Sequence, residues 1–216
     1  MQGAVRLLIV VGVASAGCGS SPLAAPPDGP GSSAAGLSIP WTVTPAVPGS
    51  ITSTIAITDL IFRVESLRVV GDAGTSASVG DVTLEWKQGL APAPTMFEDA
   101  PSGLYSKIAF HADGDQSEYS WEIDGNVQLS GTTYPFEIHD RDDLDVDIDT
   151  SATLQPGGIA TLGVQVDIAQ PFAGLDFTKL DMDGGTLELD TDDSAMSDFR
   201  DKLSDAIVAA PDTASE

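Results

Sequence analysis

Four aspartates at every second position, Asp143, Asp145, Asp147 and Asp149, alternate with Leu144, Val146 and Ile148 in the run from His139 to Asp149. On an extended strand same-face neighbours lie about 6.6 Å apart, so these acids would form one outward row while the aliphatic residues face a core. Carboxylates in such a row repel one another, and a divalent ion between two of them relieves the repulsion. Ca2+ suits the role, with oxygen ligands at about 2.4 Å. A charged row also keeps an exposed sheet from pairing with its neighbours. A second acidic group, Asp181-Met182-Asp183-Gly184-Gly185 with Glu188, Asp190, Asp192 and Asp193, offers Asp181 and Asp183 as further candidate ligands. Calcium-loop spacing is not met there, because position five is Gly185, position six is Thr186 and position twelve is Asp192. The run Asp113 to Glu118 fails the same test, with Glu118 where glycine belongs. Turn chemistry suits both segments, since Asp-Gly and Gly-Gly pairs tolerate positive φ.

The inventory for catalysis is short. The chain has two histidines, His111 and His139, and one cysteine, Cys18. It has no Gly-x-Ser-x-Gly elbow, His-Glu-x-x-His helix or phosphate-cradling glycine loop. His111 with Asp113, and His139 with Asp140, would share metal ligands only if their strands meet. Carboxylate pairs suited to glycoside hydrolysis are available in so acidic a chain, but aromatics to line a substrate cleft are few, with Trp41, Trp86 and Trp121 the ones to place. A non-enzymatic binding or structural module is the first reading, a divalent-cation-dependent adhesion or glycan-binding module the second, and a hydrolase the third. The formal charge of −24, from 33 acidic against 9 basic residues, disfavours nucleic acid and anionic lipid surfaces as partners and favours cations and basic protein surfaces.

Cys18 follows a leader with one basic residue, Arg6, an apolar run Leu7 to Ala14, and small residues, the layout of an export signal. Eight apolar residues are too few to span a bilayer, which takes about 20. An unpaired thiol in an exported chain calls for an explanation. Ser15-Ala16-Gly17-Cys18 resembles the lipobox of bacterial lipoproteins, with Ser15 standing where Leu is usual; Ala14-Ser15-Ala16 also suits an ordinary signal peptidase, which leaves a secreted or periplasmic product as the alternative. The resemblance implies that residues 1–17 are removed, that Cys18 becomes an acylated N-terminus in contact with the membrane, and that Gly19 at the next position directs the protein to the outer membrane. Residues 19–36, rich in Pro, Gly, Ser and Ala, read as an extended tether behind that lipid.

The acids are positioned by strands. From Leu37 on, apolar residues recur with period two in Ile55 to Val69, Val82 to Trp86, Leu104 to Phe110, Tyr119 to Ile123, Val127 to Leu129, Tyr134 to Ile138, Leu144 to Ile148 and Ile159 to Ile168. Ser130-Gly131 marks a hairpin and Pro156-Gly157-Gly158 a turn. Short strands at this spacing predict one mainly β domain over residues 37–210, an antiparallel β-sandwich. Met196, Phe199, Leu203 and Ile207 recur at helical spacing and predict one amphipathic helix over about 195–209, capped by Asp192-Asp193-Ser194, with 211–216 a tail. The segments Leu67 to Asp72, Pro101 to Tyr105, Trp121 to Gly125 and Tyr134 to Phe136 resemble uncharacterised bacterial envelope lipoproteins with transthyretin-like or immunoglobulin-like sandwiches. That resemblance implies a fold and an anchored, extracytoplasmic habit, and no catalytic residue.

Overall fold

Alternation along one segment builds the longest element of the computed structural model, which describes residues 36–114 and 118–211. The leader, Cys18, nearly all of the tether and residues 212–216 lie outside the described residues. On the N-terminal side come β1 (Gly36–Ile39), β2 (Trp41–Thr44), β3 (Gly49–Ser50), the long β4 (Ile55–Gly71), β5 (Ser76–Lys87) and β6 (Thr95–Phe97). Then follow β7 (Gly103–Ala112), β8 (Trp121–Leu129), β9 (Thr132–Asp140) and β10 (Leu144–Leu154). The chain continues through β11 (Ile159–Thr161), β12 (Val164–Asp167), β13 (Asp181–Asp183), β14 (Thr186–Leu189), helix α1 (Met196–Asp205) and β15 (Ile207–Ala209).

β4 buries Leu60, Phe62 and Val64 and then Leu67 and Val69. The buried positions change from even to odd because Glu65 is an extra residue in the pairing with β7, between Val64↔Ala112 and Ser66↔His111. Such a bulge bends a strand and increases its twist. β5 pairs with β4 along one edge from Asp59↔Lys87 to Val70↔Ser76. The opposite edge is divided: Ile55 to Phe62 pair with β8, while Val64 to Gly71 pair with β7. One strand therefore carries two arms, β7–β10 and β8–β9–β14–β13.

Two three-stranded sheets, β11–β1–β6 and β15–β12–β2, complete the sandwich. Pro40 separates β1 from β2, and Leu162-Gly163 separates β11 from β12, yet the parallel pairing crosses both breaks: the Leu162 N–H donates to the Ser38 carbonyl at 2.9 Å and the Val164 N–H to the Pro40 carbonyl at 3.0 Å. Most pairings are antiparallel, and β1 with β11, β2 with β12 and β9 with β14 add parallel ones, so the sheets are mixed. The predicted hairpin is present, with Ser130 (φ 50) and Gly131 (φ 86) both left-handed between β8 and β9. At the entry to β7 the buried Tyr105 hydroxyl donates to the Pro101 carbonyl at 2.6 Å and ties down the turn that precedes the strand. One continuous apolar core runs through the domain.

The helix is shorter than its periodicity predicts. Ile207 is buried, as the pattern requires, but as the first residue of β15, whose backbone pairs with β12 from Val166↔Ile207 to Val164↔Ala209. An available sheet edge outcompetes the last helical turn. Side-chain capping is also absent: Ala195 holds the cap position, and the Asp193 carboxylate accepts from the Asp190 N–H at 2.9 Å instead. α1 is fixed by packing. Phe199 stacks on Trp121 at 5.7 Å and meets Phe172 edge-on at 5.3 Å. Beside it Arg200 Nε donates to Oδ2 of the fully buried Asp140 at 2.6 Å, and its Nη2 to Asp142 at 2.8 Å. The remaining Asp140 oxygen accepts from the Asp142 N–H at 3.1 Å.

Removing one partner from a buried pair strands the other charge. Asp140→Ala should lower unfolding stability by about 2–4 kcal/mol in denaturant titration, less than the fully buried case because Arg200 keeps some solvent. Gly125 on β8 faces the Ala56 carbonyl and the Phe136 ring so closely that a Cβ would collide with both. Gly125→Ala should therefore lower the thermal midpoint, while Gly131→Ala would meet open space and register only its backbone strain.

Candidate functional site

β10 places the predicted acid row as its alternation requires. Leu144, Val146 and Ile148 are buried, Asp145, Asp147 and Asp149 are exposed, and Asp143 is exposed just before the strand. The neighbouring strand β7 answers the row with a lysine and a histidine. Asp145 lies opposite His111 and Asp149 opposite Lys107; His111 Nδ1 is 2.8 Å from Asp145 Oδ1, and Lys107 Nζ donates to Asp147 Oδ2 at 2.9 Å. Within this chain, then, cross-strand partners offset much of the repulsion that suggested Ca2+. The hydrogen bond to Asp145 holds the His111 imidazolium above the ordinary histidine range, with burial opposing it and the charges of Asp145, Asp143 and Glu65 reinforcing it.

A carboxylate from another strand reaches the same histidine. The bulge leaves both Glu65 and Ser66 on the outer face, and Glu65 Oε2 lies 3.5 Å from His111 Nε2. Asp113, two residues beyond His111 with buried Ala112 between, emerges on the same side. One ligand atom from each of Glu65, His111 and Asp113 lies within 4.8 Å of the others, and this is the metal-capable grouping found among the described residues. The i, i+2 pairing of His111 with Asp113 is legible in the sequence. Glu65 was missed there, although the change of apolar parity between Val64 and Leu67 marks the bulge that turns it outward.

The other expected pairs are not assembled in this way. His139 and Asp140 are consecutive on β9 and face opposite sides: His139 stacks on Tyr119 at 4.0 Å while Asp140 holds Arg200 in the interior. Asp181 and Asp183 are exposed on β13, opposite Glu188 and Thr186, in a hairpin turned by Gly184 (φ 58) and Gly185 (φ 99). Asp190 and Asp193 accept backbone N–H groups of their own turn at 2.9 Å. Trp41, Trp86 and Trp121 are all buried in the core, so none of them forms an exposed platform. A groove of about 320 Å³ runs beside α1 and includes Pro171, Leu175, Asp198 and Lys202, and the Lys202 ammonium there is held by Asp198 at 2.7 Å and the Ala173 carbonyl at 2.9 Å.

A second acidic patch was invisible in the sequence because it is assembled from three strands. Asp59 on β4, Asp124 on β8 and Glu137 on β9 are cross-strand neighbours. Asp124 is pushed up to about 6, first by burial and then by the charges of Glu137, Asp59 and Glu122. Asp59 is raised as well, by burial and by Glu85, and its Oδ1 is buried without a hydrogen-bond partner. Lys87 stands opposite Asp59 and pairs with Glu85.

No family model, curated protein or solved structure matches the chain.

The Asp124 shift predicts a pH dependence. In the unfolded chain the carboxyl ionises near about 3.9, so below that pH both states hold the proton and its contribution to stability is intact. Between there and about 6 the unfolded chain loses the proton first, and stability falls as pH rises through this window, then stays reduced. Asp124→Asn should raise the thermal midpoint at neutral pH, by on the order of 1 kcal/mol in stability after allowing for solvent screening, and leave it near wild type at acid pH. Thermal unfolding across a pH series checks both halves.

Proposed function

We propose that this chain is a non-enzymatic lipoprotein of the bacterial cell envelope, acylated at Cys18, held at the outer membrane, and carrying a β-sandwich that presents acidic faces to basic protein surfaces or cations. The observation that carries the reading is the outward row Asp143, Asp145, Asp147 and Asp149, whose aliphatic partners are buried while the acids stay in solvent. A second acidic patch lies on the other arm of the sheet, with Glu137 exposed beside the half-buried Asp59 and Asp124. The unpaired Cys18 behind an apolar leader, followed by a Pro- and Gly-rich stretch, supports anchoring and reach. Among the described residues no helix is long and apolar enough to cross a membrane. Trp41, Trp86 and Trp121 are buried, so none of them is exposed as a platform for a substrate ring.

Mass spectrometry of the mature N-terminus tests the anchor directly. A diacylated or triacylated Cys18 is expected, with Cys18→Ala moving the protein from the membrane to the soluble fraction without changing its circular dichroism. An unmodified N-terminus at Gly17 would overturn the anchoring. The acidic-face reading has its own measurement: binding to immobilised polylysine should weaken as salt shortens the Debye length from about 10 Å at 0.1 M, and Asp145→Asn with Asp147→Asn and Asp149→Asn should weaken it further.

A further inference from the structure

We propose that Glu65, His111 and Asp113 form a site for a divalent transition-metal ion of the zinc class, with Asp145 as the outer carboxylate that orients His111. The site goes beyond the anchored, surface-presenting role and stands whether or not Cys18 is acylated.

Three independent features of the backbone bring the ligands together. His111 and Asp113 leave β7 on one face through their i, i+2 spacing. Glu65 comes from the facing strand, at the bulge that sets it on the outer surface rather than in the ordinary in-and-out alternation. Bulges re-aim side chains in this way beside functional sites. Asp145 arrives from β10, directly opposite His111.

The distances leave room for a metal ion where the side chains now form an ion pair. Asp145 Oδ1 lies at 2.8 Å from Nδ1, a full hydrogen bond, whereas Glu65 Oε2 lies at 3.5 Å from Nε2. That second separation exceeds a good N–H···O bond, about 2.7–3.2 Å. It is close to the spacing of about 3.3 Å between two ligand atoms that share a tetrahedral ion with bonds of about 2.0–2.1 Å. An Asp113 carboxylate oxygen lies within the same 4.8 Å group. With the Nδ1–H donating to Asp145, the lone pair of the neutral ring sits on Nε2, the nitrogen that faces Glu65. A carboxylate on the far nitrogen of a ligating histidine fixes the ring and raises its basicity, and its loss commonly lowers affinity about 10- to 100-fold. Asp143, just before Leu144, whose partner is Ala112, adds negative charge to the same corner.

The donor set selects the ion. An imidazole nitrogen suits zinc, copper, iron or nickel, whereas Ca2+ and Mg2+ prefer all-oxygen sites. Glu65 and His111 retain solvent contact, so water completes the coordination sphere. Binding releases any proton on Nε2 to solvent.

The test is calorimetric titration of the full mature chain, stripped with chelator, with ZnCl2 and in parallel with CaCl2 at neutral pH. One Zn2+ per chain is expected, with Ca2+ far weaker. His111→Ala and Glu65→Gln should each weaken Zn2+ binding by about 100-fold, and Asp145→Asn by about 10-fold with the stoichiometry kept. Co2+ in place of Zn2+ should give visible d–d absorption that disappears in His111→Ala. Circular dichroism establishes that each variant is folded, and Asp113→Asn provides a second ligand substitution. No saturable Zn2+ binding, wild-type affinity in both His111→Ala and Glu65→Gln, or equal affinity for Ca2+ would each overturn the site. None of these results bears on acylation, which the mass of the N-terminus reads separately.

Discussion

The fold depends on a single backbone edge that serves two partners. β4 offers one edge to β5 and divides the other between β8 and β7. A regular strand could not do this and keep its apolar residues inward, because two arms that diverge need a twist between them. The chain solves the conflict with bulges, one near Ile57 to Asp59 against β8 and one at Glu65 against β7. Each resets which residues point to the core. The rest of the sandwich follows from the bend, and so does the outward turn of Glu65.

Carrying so much negative charge on a sheet is physically demanding, since like charges directly opposite one another destabilise a pair of strands. The protein meets the demand in two ways. On the β7–β10 arm, Lys107 and His111 lie against Asp147 and Asp145, so the neighbouring strand offsets part of the row's charge. On the β8–β9 arm the only basic residue in the row through Asp59, Asp124 and Glu137 is Lys87, at the β5 end, and Asp124 responds by holding its proton more tightly. Arg63 serves the next level up, where it contacts Glu122 at 2.6 Å and the Tyr119 carbonyl at 2.8 Å.

Period two made most of the sheet readable: β4, β5, β7, β9 and β10 lie where the alternation places them, while β8 joins the segments Tyr119 to Ile123 and Val127 to Leu129 and the run Ile159 to Ile168 divides into β11 and β12; the acid row faces outward as its neighbours Leu144, Val146 and Ile148 require. The unread parts share a cause. β1, β2, β3, β6, β13, β14 and β15 run two to four residues each, too short to establish a period. Ile207 fitted a helical stripe and a strand equally well, and the free edge of β12, which no local signal reveals, decided between them. For the site, His111 and Asp113 could be paired by spacing alone, whereas Glu65 and Asp145 are 46 and 34 positions away from His111 and meet it only through strand register. Asp59, Asp124 and Glu137 were hidden for the same reason.

The parallel pairing of the first described strands with late ones has a kinetic side. Thr42 and Val164 are hydrogen-bonded across 122 positions, and β12 takes its other partner from β15, close to the end of the described residues. Contacts this remote in sequence raise the contact order, and chains that depend on them fold slowly, because a large loop must close before any of these contacts forms. While the chain is being made, β1 can pair with β6, but β2 has no strand to join until β12 is present. The strands made last are therefore the ones that hold β2, and its segment stays open to proteases until β12 and β15 lock it in place.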